Sequence, residues 1–241
     1  MQREIEGLAN ASKLPLKFVQ GVQALYEIQT LMVPIVNFSH ARAVHGDLPV
    51  NNLSFHLPEL PANLQPLGQL KPWHGPGCTG IVALNSADGT VTHARNQDFS
   101  PVDLFGNLVF TGIFTKKGAE LFRSEMVAGY VSILTGYRRG PNGYVIERNT
   151  RYADHVHGNV EMLSNLFSGR ALNGWSLRKI LEEESTYEAA LERVHSTPFV
   201  STEYNIMSGV KKGASTCAQI ELRLATLVES PCCECRHAVP E

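Results

Sequence analysis

Cys78, Arg95 and Asp98 place a thiol, a guanidinium and a carboxylate within one short stretch of chain. If they converge, they form a candidate catalytic constellation built on a nucleophilic thiol. Whether they meet depends on the elements that carry them. Cys78-Thr79-Gly80-Ile81-Val82-Ala83-Leu84 reads as a strand, Asn85-Ser86-Ala87-Asp88-Gly89 as a turn, and Thr90 to Asp98 as a returning strand. Folding back at Asp88-Gly89 predicts a hairpin that brings Arg95 and Asp98 near Cys78. A strand that begins at the thiol also predicts a sulfur at an exposed strand end.

The cysteines are distributed unevenly. Cys78 precedes all others by a wide margin, and Cys217, Cys232, Cys233 and Cys235 fall near the end of the chain. A disulfide framework for the body is not expected, so Cys78 reads as a reactive or buried free thiol. Cys232, Cys235 and His237 are metal-capable, but no second spaced pair completes a zinc knuckle. No metal and no cofactor is expected.

At 241 residues, 43% hydrophobic and 18% charged, the chain can form one sizeable core or two small ones. A formal net charge of −2 gives no reason to expect a nucleic-acid partner. Lys17, Gln20, Gln23, Glu27 and Gln29 interrupt the apolar stretch from Leu14 to Phe38, which argues against a membrane-spanning helix. The start Met1-Gln2-Arg3-Glu4-Ile5 lacks the apolar core of a secretory signal. It indicates either a cytosolic protein or a chain whose natural beginning is missing.

Around the hairpin, three regions emerge. Residues 1–77 comprise a helical part to about residue 39, then a proline- and glycine-rich connector ending at Gly77. In the helical part Ser12 and Pro15 suit a helix start, with Phe18, Val22, Leu25, Tyr26, Leu31 and Met32 on a core-facing side. Residues 78–213 open with strands: after the hairpin come Leu108–Thr115, Leu121–Ser124, Ala128–Gly136 and Asn142–Asn149. Helices follow around Val160–Phe167, from Leu177, and from a capping box Ser185-Thr186-Tyr187-Glu188, before a strand at Tyr204–Val210. Residues 214–241 form a divergent, cysteine-rich tail. Strands, then helices, then strands predict a layered α+β domain.

The run from Cys78 to Asp98 resembles the acid ceramidase and N-acylethanolamine acid amidase family of N-terminal nucleophile hydrolases. That family opens Cys-Thr-Ser-Ile-Val-Ala, turns through a hairpin, and continues Gly-Arg-Asn-x-Asp. Here the same order reads Cys78-Thr79-Gly80-Ile81-Val82-Ala83 and Ala94-Arg95-Asn96-Gln97-Asp98. Ala128-Gly129-Tyr130-Val131-Ser132-Ile133-Leu134-Thr135-Gly136, Tyr187-Glu188-Ala189-Ala190-Leu191, Ser196-Thr197-Pro198 and Gly209-Val210-Lys211 resemble later family segments in order.

The resemblance implies a four-layer αββα sandwich, incomplete at its C-terminus, in a precursor that cuts itself between Gly77 and Cys78. It implies that Cys78 is the nucleophile, that Arg95 holds the nucleophile or the substrate carbonyl, and that Asp98 holds the new α-amino group. That amine, with a reference pKa of ~7.7–8.0, is a suitable local base for a thiol of ~8.5. Tyr130, Thr135 and Asn149 are candidate substrate contacts. The implied reaction is hydrolysis of a lipid amide, a ceramide or an N-acylethanolamine, through a thioester. Processed pieces that stay associated, contact with a membrane surface, and a lysosome-like acidic compartment are implied too. Alternatives are a bile-salt- or penicillin-type amidase, or a truncated and catalytically silent member.

The resemblance stops at Gly213. The family continues into Glu-Gly-x-Val-Ile-Thr-Arg and later Thr-Asn-Tyr-Asp, whose asparagine serves catalysis or the oxyanion hole; neither motif occurs here. An origin of residues from about Ala214 onward in a frameshift, retained intron or alternative exon is the expectation.

Overall fold

A computed structural model of the chain describes residues 1–23, 77–85, 87–98, 106–150, 156–210, 215–220 and 225–228. The connector before Gly77, the apolar positions from Leu25 to Met32 and the cluster from Cys232 to His237 lie outside the described residues.

The hairpin forms as the turn signal requires. Strands β1 (Gly77–Leu84) and β2 (Val91–Asp98) pair antiparallel, with Cys78 opposite Gln97, Gly80 opposite Arg95 and Val82 opposite His93. The Asn85 N–H donates to Thr90 O at 2.8 Å and the Gly89 N–H to Asn85 O at 2.8 Å. Gly89 takes φ 76°, a conformation open to glycine at no steric cost.

Seven further strands build one antiparallel sheet in sequence order: β3 (Val109–Lys116), β4 (Ala119–Val127), β5 (Thr135–Arg138), β6 (Tyr144–Thr150), β7 (Glu203–Gly209), β8 (Ser215–Ile220) and β9 (Ala225–Val228). The β1–β2 hairpin stacks on one face of this sheet. Gly80 is what allows the approach, because a Cβ there would collide with the Glu147 carboxylate and with Ile206 Cδ1.

Helices cover the opposite face. α1 (Gln2–Ser12) and α2 (16–23) precede the hairpin; α3 (Val156–Phe167), α4 (Asn173–Glu183) and α5 (Tyr187–Ser196) follow β6. Leu177, Ile180 and Leu181 of α4 and Ala190 and Val194 of α5 pack with Phe122, Ile133, Ile146 and Met207 in the main core. The Tyr144 hydroxyl donates to Ile180 O at 3.2 Å and Glu184 O at 3.1 Å, tying β6 to α4, and burial raises this phenol's pKa. The architecture is a layered α+β sandwich, as the sequence predicts. Among the described residues its layers run hairpin, seven-stranded sheet, helices.

Local expectations need revision at several points. Ser12 closes a helix rather than starting one: its hydroxyl donates to Leu8 O at 2.6 Å, and Lys13 at φ 57° breaks the chain's course. Pro15 does start the next helix, its carbonyl accepting from Phe18 and Val19 N–H. Phe18 is 42% exposed, and Val19 and Gln23 are the buried positions instead. The helical cap falls on Thr186, not Ser185, with Thr186 Oγ1 accepting from Ala189 N–H at 3.2 Å.

Residues 128–134 are not a strand. Their polar backbone is met from outside any ladder: Gln23 accepts from Val131 N–H and donates to Gly129 O, and Arg178 Nη1 donates to Val131 O. The seven-stranded sheet also runs past residue 213, where the resemblance stops, into β8 and β9.

Candidate active site

Alternation along β2 decides which side chains face the sheet. His93, Arg95 and Gln97 point inward, as do Cys78, Gly80 and Val82 on β1, whereas Thr92, Ala94 and Asn96 are exposed. Beneath them a row of residues crosses the sheet in register: Thr111, Glu125, Thr135, Glu147 and Ile206, contributed by β3 to β7. Opposed residues of a ladder share a face, so this row is the floor under the hairpin.

Arg95 is the pivot between hairpin and floor. Its Nη2 donates to Cys78 Sγ at 3.3 Å and to Arg148 O at 2.6 Å, while Nη1 donates to Leu134 O at 2.7 Å and to Thr135 Oγ1. Two carbonyls and a hydroxyl help to hold the guanidinium plane. Nη2 thereby presents a charged donor to the sulfur, which favours negative charge there. Leu134 O also accepts from Arg148 N–H at 3.0 Å, so the loop and β6 are locked to one another where they receive Arg95.

Cys78 is a free thiol at the first link of β1, but only 3% exposed. The expected strand end is present and the expected exposure is not, because the side chain turns into the space between hairpin and sheet. Asp98 lies directly opposite Gly77 in the ladder, so its backbone flanks the Gly77–Cys78 link.

A second polar contact sits beside the first. His93 Nε2 donates to Glu147 Oε2 at 3.1 Å, and in the neutral ring Nδ1 then accepts from the Ser208 hydroxyl at 2.7 Å. Both side chains are buried, the carboxylate completely. Asn149 Nδ2 reaches Glu147 Oε1 at 3.4 Å.

A cavity of about 600 Å³ opens over this floor. His93, Arg95, Gln97, Glu125 and Thr135 give it polar groups; Val109, Met126, Val127 and Val145 give it apolar walls. A cavity with apolar walls and a few polar groups suits an amphipathic ligand.

Of the positions singled out in the sequence, the fold brings Cys78, Arg95 and Thr135 together, with Gly77 and Asp98 at the adjoining rung. Thr135 lines the cavity and anchors Arg95. Tyr130 instead packs with Leu134 and Val127, and Asn149 is buried beside Glu147; neither lines the cavity. Sequence reasoning passed over His93, Gln97, Glu125, Glu147 and Ser208. Two of them had a readable signal, since His93 and Gln97 stand two residues either side of Arg95 in an alternating strand.

No family model matches the chain. It is 27% identical over 212 residues to N-acylethanolamine-hydrolyzing acid amidase of Caenorhabditis elegans, covering 88% of this chain and 48% of that protein. Against the Rattus norvegicus amidase it is 31% identical over 132 residues, covering 55% and 35%. Against acid ceramidase of Balaenoptera acutorostrata scammoni the identity is 26% over 152 residues, covering 56% and 37%. A solved structure of the Caenorhabditis elegans amidase ortholog superposes with a TM-score of 0.56 at 30% identity, covering 63% of each chain. The chain thus spans about half or less of the length of these curated relatives.

Fold and hairpin define the class as an N-terminal nucleophile hydrolase-type sandwich. Within that class, the chain is similar to members of the acid ceramidase and N-acylethanolamine acid amidase family.

Proposed function

We propose that this protein hydrolyses linear lipid amides, N-acylethanolamines or ceramides, with Cys78 as nucleophile after self-cleavage of the Gly77–Cys78 bond. The observation that carries the reading is the hydrogen bond from Arg95 to Cys78 Sγ, made by a guanidinium already anchored on Leu134 O, Arg148 O and Thr135. The names of the relatives support the substrate class, and the apolar-walled cavity beside Arg95 suits an acyl chain.

In this reading the freed α-amino group of Cys78 takes the thiol proton and sulfur bonds to the amide carbon. The C–N bond then breaks, the amine leaves with that proton, and the acyl group stays on sulfur as a thioester. Water, deprotonated by the same amine, cleaves the thioester to fatty acid and restores the thiol. Asp98 holds the α-amino group at the rung beside it. Tyr130, Thr135 and Asn149 are the candidate substrate contacts, of which Thr135 lines the cavity. A lysosome-like acidic compartment, transient contact with a membrane surface during substrate uptake, and continued association of the cleaved pieces complete the proposal.

The test joins mass analysis to turnover. After mild acid incubation the chain should divide at Gly77–Cys78 and release fatty acid from long-chain N-acylethanolamine or ceramide. Cys78→Ala should do neither. An undivided, folded chain that still hydrolyses these amides would sink the mechanism, and preference for conjugated bile salts would sink the substrate class.

A further inference from the structure

Attack on an amide carbonyl creates a requirement that Cys78 and Arg95 do not meet by themselves. As the C–S bond forms, the carbonyl π pair moves onto oxygen, and that oxyanion needs hydrogen-bond donors already in place. Such a donor should be buried, close to the sulfur, open to the substrate cavity and not engaged elsewhere in the resting protein.

Gln97 meets these conditions. It stands directly opposite Cys78 across the β1–β2 ladder, on the inward face, two residues from Arg95. It lines the 600 Å³ cavity together with Arg95 and Thr135. Its Nε2 is buried and has no hydrogen-bond partner among the described residues. Leaving an amide donor buried and unpaired is destabilising, so a resting hairpin gains nothing from glutamine at this position. Opposed residues in an antiparallel ladder have Cβ atoms ~4.5–5.5 Å apart, within reach of an atom bonded to the Cys78 sulfur.

We infer that Gln97 is a further catalytic residue, whose side-chain N–H donates to the oxyanion formed when Cys78 adds to the substrate carbonyl. The inference rests on the amidase reading above and deepens it. Arg95 holds the sulfur side of the tetrahedral centre and Gln97 the oxygen side. When the oxyanion re-forms the carbonyl, the C–N bond breaks and the amine departs with the proton held by the α-amino group. Gln97 neither gains nor loses a proton. The donor comes from within the hairpin itself, at the x position of the Arg-Asn-x-Asp pattern.

Two variants test this, Gln97→Leu and Gln97→Glu, assayed per cleaved chain on long-chain N-acylethanolamine and ceramide. Removing one oxyanion donor lowers kcat on the order of 10²–10³-fold, and KM should stay close to its original value. Gln97→Glu places a carboxylate against the oxyanion and should be at least as slow. Inhibition by a long-chain aldehyde, which forms a tetrahedral adduct on sulfur, should weaken in parallel with kcat in Gln97→Leu. Binding of the matching alcohol, which forms no adduct, should not change. The melting temperature of Gln97→Leu should equal or exceed that of the parent, since an unpaired donor is removed.

Undiminished kcat in Gln97→Leu, with an active parent, overturns the role of Gln97 and leaves the amidase reading intact. Equal loss of aldehyde and alcohol binding with a lowered melting temperature overturns it too, because Gln97 would then be structural. A parent that hydrolyses no amide and forms no aldehyde adduct overturns the amidase reading and this inference with it.

Discussion

The two faces of the seven-stranded sheet are built from the same strands and do opposite work. On the helix side, Phe122, Ile133, Ile146, Leu177, Leu181 and Met207 are at most 3% exposed and make an apolar core. On the hairpin side, Thr135 and Glu147 meet Arg95 and His93. Strand β6 shows the division most sharply, since Glu147 serves the hairpin and its neighbour Arg148 turns to the helices, where it pairs with fully buried Glu203. Period-two alternation thus lets one strand separate core packing from polar contacts to the hairpin. The core face supplies burial energy, and the hairpin face spends specificity on polar groups that could have been apolar. Mutations on the two faces should accordingly separate stability from turnover.

The largest separation is expected at Arg95. On the proposed mechanism, Arg95→Leu should lower turnover on the order of 10²–10³-fold, because a preorganised cation beside the sulfur is lost. Arg95→Lys should not restore it, since a point charge cannot span two carbonyls, a hydroxyl and sulfur at once. Steady-state kinetics on cleaved chain measures both; recovery with lysine would mean that charge alone matters. The converse variant is Leu181→Ala, at a side chain with no exposure. It should cost ~2–5 kcal/mol in denaturant unfolding while leaving kcat per folded molecule unchanged. A change in kcat would show that the two faces are coupled.

Much of this division was legible in the sequence, and the reason is local. The hairpin followed from a strand–turn–strand pattern with Gly89 at the turn, and the register then fixed which side chains share a face with Cys78. The helices followed from apolar spacing. What escaped reading depends on distant partners. Glu147 in a strand reads as a solvated charge unless His93 is known to lie above it. Residues 128–134 read as a strand because nothing local reveals that Gln23 and Arg178 meet their backbone. The packing of Tyr130 against Leu134 and Val127 is a tertiary fact that its segment does not announce. The cap moved from Ser185 to Thr186 because either residue can accept from a first-turn N–H.

An intermediate effect should appear where the faces communicate through spacing. Gly80→Ala introduces a Cβ that collides with the Glu147 carboxylate and with Ile206, both on the sheet below. The hairpin must lift or Glu147 must leave His93. Overpacking of this kind costs ~1–3 kcal/mol, and here it should lower turnover as well, since Arg95 and Cys78 ride on the same hairpin. Adding Glu147→Ala to Gly80→Ala should recover part of the stability, as a double-mutant cycle would show. Strict additivity would mean that Glu147 does not set the distance between hairpin and sheet.

The smallest effect belongs to the helix side and concerns how the segment before Gly77 is held. Arg178 of α4 is 5% exposed; its Nη2 donates to Glu4 of α1 at 2.6 Å and its Nε to Glu182 at 2.9 Å. Burial opposes ionisation of Glu4, but the hydrogen bond and charge of Arg178, with the N-terminal ammonium, outweigh it and lower the carboxyl pKa. A depressed folded pKa means stability that is fully present above the unfolded value of ~4.3 and lost as pH falls through the folded one. The Glu4 side chain is 44% exposed, so solvent screening limits the pair to under ~1 kcal/mol. Glu4→Gln should therefore lower stability slightly at pH 7 and flatten its decline below about pH 4. Unfolding curves at both pH values give the comparison. If the chain divides at Gly77–Cys78 as proposed, the same variant should speed separation of the α1-bearing piece at neutral pH without changing kcat, because α1 then has no covalent tie to the hairpin. Unchanged separation would show that Ile5 and Ala9, packed near Val131, hold α1 without help from the ion pair.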